Sequence, residues 1–296
     1  MSLRKSLVNR SIIACCASIA AFGFFCTPIV ASAATSASAY QKPDFAYPKT
    51  VISNAENALA SAQKAADSRG MLRALINLSL AEASISQDEL VTVTARIDSL
   101  RNEEKDVEMR SLLSLLLAGV YADIYQSDYW AYDQRPAMLD AAKGNFTTWS
   151  GTQISDRIMT LVNDALTPSN LLAQTPVQNY GGVIDYNRDI AAMYAPTLLD
   201  FEAIRGVEIL RTFAYRNTQA RMCISRIISL MTSRTEASPA SLLYWQLHKL
   251  DADNSLAGDR IDTDTEFEKL QALYDNNFAT TPAVGEVLLK IDELLS

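Results

Sequence analysis

Histidine and cysteine are scarce in this chain of 296 residues, which has one His and four Cys. Cys15, Cys16 and Cys26 fall within the first 33 residues, so beyond them Cys223 stands alone. An internal disulfide or a zinc site built on paired cysteines is thereby excluded downstream of residue 33. A glycine-rich phosphate loop, a G-x-S-x-G elbow and an H-E-x-x-H pair are all missing. Basic charge is in the minority, with 26 Lys and Arg against 34 Asp and Glu. Such a surface repels phosphate backbones, which argues against nucleic acid as a partner. No apolar run after residue 34 is long enough to cross a bilayer, although peripheral attachment to a membrane stays open. Sustained apolar–polar alternation is missing too, so strands should be scarce.

What is present begins with a targeting segment. Arg4, Lys5 and Arg10 are followed by an apolar stretch from Ile12 to Val30 and by the small residues Ala31-Ser32-Ala33. A basic start, an apolar core and an A-x-A ending describe a secretory signal peptide over 1–33, cleaved near Ala33. Lipidation at Cys15 fits less well, because the apolar region would then follow the cleavage point. Export places the remaining chain in the periplasm or at the cell surface. Residues 34–47, with Ser36, Ser38 and Pro43, read as a flexible tether.

From Pro48 onward the period is helical. Val51, Ala55, Ala58, Ala62 and Ala65 form a narrow stripe, and Asp67-Ser68-Arg69-Gly70 interrupts it. Met71, Ala74, Leu75, Leu78, Ala81 and Ile85 resume the spacing. Ser86 and Glu89 suggest a capping box, ahead of a stripe through Leu90, Val93, Ile97 and Leu100. The next helix, from Met109 to Ile124, carries apolar residues on so many sides that it should be central. Irregular stretches are expected over 128–151 and 167–196. Further helices are expected over 154–165, after Thr197 and Asn217, through Leu242 and Leu250, around Phe267 to Tyr274, and over Val284 to Leu295. The whole reads as one all-α domain over 48–296, with a subdivision open near 128–151. Its successive hairpins suggest stacked antiparallel pairs, as in a tetratricopeptide-like solenoid, without that repeat's sequence pattern.

Candidates for chemistry are few. His248 lies on a helix face and reads as a packed residue, since a general base needs an orienting partner. Cys223 shares a stripe with Ala220, Ile224 and Ile227 and reads as a small core residue. The carboxylates between 251 and 268 have alternate spacing, but Leu256 and Phe267 stand where a calcium loop needs its glycine. Capping and solvation account for them, with weak calcium binding left open. No catalytic, cofactor-binding or resident-metal residue is therefore assigned. Tyr121, Tyr125, Tyr129, Trp130, Tyr132 and Arg135 form an aromatic group that suits a protein contact, or alternatively the packing of the loop they precede.

Several segments carry a resemblance. They are Tyr47-Pro48-Lys49-Thr50, Arg69-Gly70-Met71-Leu72-Arg73-Ala74-Leu75, Leu80-Ala81-Glu82-Ala83, Ala95-Arg96-Ile97-Asp98-Ser99-Leu100, Tyr121-Ala122-Asp123-Ile124-Tyr125 with Trp130, and Tyr194-Ala195-Pro196-Thr197-Leu198. Together they resemble the N-terminal helical region of Bacteroides-type bacterial alpha-2-macroglobulin-family proteins. The resemblance implies the front end of a larger exported protease-trapping protein, followed by β-sandwich domains. Those domains are absent here. Cys223 is followed by Ile224, Ser225 and Arg226, which departs from the family's Cys-x-Glu-Gln thioester. The expectation is a non-catalytic scaffold or protein-interaction module, truncated at Ser296, with its last apolar stripe exposed. The alternative is a self-contained exported binding protein for glycan or peptide.

Overall fold

The computed structural model describes residues 47–83, 87–137, 145–180, 183, 193–257 and 262–295, without the side chains of 83, 87–89 and 255–257. The signal peptide, the tether before Tyr47, Cys15 and the Ser86–Glu89 box lie outside what is described. Twelve α-helices make up the described chain: α1 Pro48–Ala65, α2 Ser68–Ala83, α3 Gln87–Glu103, α4 Val107–Ser127, α5 Tyr129–Asp133, α6 Gly151–Leu166, α7 Ser169–Gln174, α8 Leu198–Ala214, α9 Thr218–Thr232, α10 Pro239–Ala257, α11 Thr263–Asn277 and α12 Gly285–Leu295. Among the described residues there is no strand, only an isolated bridge between Pro176 and Thr197. The fold is all-α. None of these helices is long and apolar enough to span a membrane.

Helix α4 organises the rest. Asp106 caps it by accepting from the Met109 N–H at 3.1 Å. From Met109 to Tyr125 nearly every side chain is buried, because α2, α3, α6 and α8 all pack against it. The sequence reason is plain: Leu112, Leu113, Leu115, Leu116 and Leu117 point in too many directions for one apolar face. Neighbours in sequence otherwise pack as neighbours in space, α1 on α2, α2 on α3, α8 on α9 and α9 on α10.

Two local expectations need correction. The inner line of α1 is Val51, Ala55 and Ala62, with Leu59 beside it, whereas Ala58 and Ala65 face solvent. Its main neighbour is α2, so only a narrow side is covered. The break after α1 is also shorter than four residues. Ala66 takes a left-handed conformation (φ 51°), and Asp67 then caps α2 by accepting from the Gly70 N–H at 3.0 Å. Arg69 and Gly70 are already helical.

The stretches expected to be irregular hold more structure than periodicity revealed. Helix α5 and a 3₁₀ turn at Phe146–Thr148 lie within 128–151, and α7 and a second 3₁₀ turn at Val177–Tyr180 lie within 167–196. Short turns of this kind bury single residues rather than stripes. One continuous core runs from Leu72 to Trp245 and includes Tyr132, Phe146 and Trp149. A second, smaller core gathers Leu243, Leu247, Leu250, Leu270, Val284 and Val287. Of the stripe expected to be exposed over Val284 to Leu295, Val284 and Val287 turn inward, whereas Leu288 and Leu295 face solvent, as does Leu289.

Truncation tests this layout. Leu115→Ala in α4 should cost about 2–5 kcal/mol of stability. Leu288→Ala on the outer face of α12 should stay within about 0.5 kcal/mol. Urea unfolding of both variants checks the contrast.

Candidate functional site

Polar groups inside an apolar body are the places where function could reside. Helix α8 carries two such groups, Asp200 and Glu202, and both are fully buried. Residues two apart on a helix point to nearly opposite sides, so the two acids meet different neighbours. Asp200 accepts from Thr197 Oγ1 at 2.6 Å, from Arg234 Nη1 at 2.6 Å and from Ser241 Oγ at 2.8 Å. It also completes a capping box with Thr197 at the start of α8. A buried carboxyl so surrounded ties α8 to the turn after α9 and to the start of α10.

Glu202 meets only Ser111 Oγ, on α4, and its Oε1 has no hydrogen-bond partner among the described residues. Ser111 Oγ also donates to the Ala165 carbonyl at 2.6 Å. A hydroxyl has one proton to donate. Ser111 Oγ shares it between the Ala165 carbonyl and the Glu202 carboxyl. Burial pushes the Glu202 carboxyl well above the usual range, against a smaller opposing effect of Ser111. Through Ser111 this carboxyl joins α8 to α4 and α6. A recess of ≈250 Å³ opens beside it, lined by Arg101, Arg110, Ser111 and Asp164 among others.

His248 is half-buried on α10. Its Nδ1 stands 3.1 Å from Arg211 Nη2, and the Tyr244 ring is edge-on at 4.3 Å. Burial, and then Arg211, lowers its pKa to about 4, so it is neutral near pH 7. A carboxylate does lie nearby, unlike the sequence expectation, but Asp251 is 3.9 Å away and is engaged by Lys290 at 2.7 Å. Cys223 is buried with its thiol against Asn163 Oδ1 at 3.4 Å, and burial raises its pKa. Asp251 and Asp253 lie on α10, while Asp264 and Glu266 occupy the first turn of α11. Among the described residues no group of three or more His, Cys, Asp or Glu gathers to hold a metal ion.

The aromatic group divides into two parts. Tyr121, Tyr125 and Tyr132 are buried, which corrects their candidacy as contact residues. Tyr121 packs on Phe146 and Trp149, and Tyr125 packs on Tyr132 and Phe213 while its O–H donates to Asp133 Oδ1 at 2.7 Å. Tyr121 and Tyr125 on α4 and Tyr132 on α5 all turn towards the core that receives them. Arg135 lies over the Tyr132 ring at 4.5 Å and donates to the Thr147 carbonyl at 2.7 Å, which makes it a staple for the loop. Tyr129 is half-buried, and Trp130 is 63% exposed.

Trp130 has company from a distant part of the chain. Tyr215, also 63% exposed, and Arg216 arrive from the end of α8. The Arg216 guanidinium carbon stands 3.9 Å from the Tyr129 ring centre, 4.8 Å from that of Tyr215 and 5.5 Å from that of Trp130. The result is an exposed ledge of rings around one cation, laid over a finished aromatic core. The chain matches no family model, no curated protein and no solved structure.

Two measurements check this geometry. Glu202 has a raised pKa in the folded chain, so its stabilising effect is complete below the unfolded carboxyl value and fades as pH rises towards the folded value. Glu202→Gln should therefore gain in stability relative to the parent as pH rises above the unfolded carboxyl range, read by thermal unfolding across a pH series. Trp149 and Trp245 are buried, so acrylamide quenching should fall mostly on Trp130. Trp130→Phe should remove most of that quenching.

Proposed function

We propose that this chain is a non-catalytic, extracytoplasmic helical module that works by binding. The observation carrying the reading is the exposed ledge of Trp130, Tyr215 and Arg216, because Trp, Tyr and Arg are the side chains that dominate binding energies at interfaces. The fate of the reactive side chains supports it. Asp200 is saturated with donors, Glu202 sits inside the core, and Cys223 is buried against Asn163. His248 has a depressed pKa and an arginine for its partner.

The segments that resemble the helical front end of bacterial alpha-2-macroglobulin-family proteins fall on α1, α2, α3, α4 and the approach to α8. On this reading the chain is exported through residues 1–33, is built of stacked hairpins in a tetratricopeptide-like manner, and docks a protein partner. Protease trapping belongs to β-sandwich domains that this sequence does not contain. The second reading is a self-contained binding protein for glycan or peptide. It draws support from the solvent exposure of the same ledge.

Genomic DNA after codon 296 separates the two. Coding sequence for β-sandwich domains beyond a stop or frameshift is the expected finding for the first reading. Unrelated sequence there sinks the family placement and leaves the second reading.

A further inference from the structure

The chain has a single histidine, and the fold sets it where three helices meet. His248 projects from α10, and Arg211 reaches it from α8. One turn further along α10, the carboxylate of Asp251 is held by Lys290 of α12 at 2.7 Å. An arginine side chain has donors and no lone pair with which to accept. The 3.1 Å contact between Arg211 Nη2 and His248 Nδ1 therefore requires a bare Nδ1. A proton there would set N–H against N–H and cation against cation. The rings of Tyr244 and Trp245 flank the imidazole at 4.3 and 5.9 Å. The charged groups acting on it are Arg211, Asp251 and Lys290, and among the described residues α9 and α11 add none.

An acceptor lies within reach of a protonated ring. Asp251 Oδ2 stands 3.9 Å from Nδ1, while Asp251 Oδ1 is engaged by Lys290. An imidazolium that turns away from Arg211 competes with Lys290 for that carboxylate. Lys290 is one of the polar ties of the last two helices, beside the Tyr194 O–H to Glu286 of α12 at 3.3 Å and Asn254 Nδ2 to Glu266 of α11 at 2.6 Å. Helices α11 and α12 otherwise pack chiefly on each other and meet α10 through the small core.

We propose that His248 is an acid-sensitive latch, whose protonation frees α11 and α12 from α10 and uncovers the apolar residues of the small core. The direction follows from linkage. Burial, and then Arg211, lowers the imidazole from 6.5 to about 4 in the closed fold. Opening restores an ordinary imidazole that binds a proton. The closed form is thus fully favoured above pH 6.5 and loses ground as pH falls towards 4, by up to about tenfold per pH unit for one proton. The carboxyls of Asp156 and Glu202, which burial raises, act in the opposite sense and strengthen the fold on acidification.

Proteolysis of the folded chain by a glutamate-specific protease at pH 7 and at about pH 5.5, with rates normalised to an unfolded peptide, tests the latch. Such cleavage reads the population of the open form when reclosing is fast. Cleavage after Glu266, Glu268, Glu286 and Glu293, all on α11 and α12, should rise about tenfold at the lower pH, while Glu202 and Glu208 on α8 stay protected. His248→Gln keeps an acceptor for Arg211 and takes no proton, so its cleavage should not change with pH. A proton NMR titration of the native chain gives an independent reading, in which the sole imidazole should keep its neutral shift at about pH 5.5. The latch is overturned if that signal titrates near pH 6.5, if His248→Gln opens on acidification as much as the parent, or if the α8 sites are cleaved in step with those of α11 and α12.

Discussion

A helix that is apolar all round has to be surrounded, and in this protein α4 imposes that condition on everything else. Its Leu112-to-Leu117 run cannot be covered by a single partner, so α2, α3, α6 and α8 close around it. Burying a leucine is worth about 1.5–3 kcal/mol relative to leaving it in water. The covering helices are amphipathic in the ordinary way. Helix α6 is the clearest case, with Ile154, Ile158, Leu161, Val162 and Ala165 fully buried on one side.

Closure around α4 also buries the first turn of α8, which leaves Asp200 and Glu202 no route to water. Asp200 and Glu202 resolve this differently. Asp200 sits in a nest of donors that includes Arg234, whereas Glu202 meets only Ser111, and burial raises its pKa. The two acids are two residues apart in the same helix, so environment and not sequence separates their chemistry. Their shared role is to fix α8 against three neighbours where apolar packing alone would tolerate sliding.

How much of this was legible beforehand varied with the kind of signal. Periodicity found the long helices, including those that begin after Thr197 and Asn217, and the central place of α4. It did not find α5 or the turn at Phe146, because a few residues carry no period and their order comes from Tyr121 and Trp149 closing over them. The aromatic group was recognisable as a group. Its division was not, since Tyr121, Tyr125 and Trp130 differ only in which side of the chain the core occupies. Tyr215 and Arg216 could not be tied to Trp130 from sequence, because their meeting depends on α8 lying against α4. The acids of α8 did leave a trace: Asp200 and Glu202 interrupt Leu198-Leu199 and Phe201-Ala203 inside an otherwise apolar run.

Helix α10 belongs to both cores. Trp245 faces the large one, while Leu243, Leu247 and Leu250 face the small one formed with α11 and α12. Cooperativity in unfolding follows shared buried contacts, and segments that share few of them open at lower free energy. The α11–α12 pair, outside the large core, is therefore expected to open ahead of the rest, with α10 keeping its place on α9. Amide protons of α11 and α12 would exchange through that partial opening, and those of α4 only through collapse of the whole body.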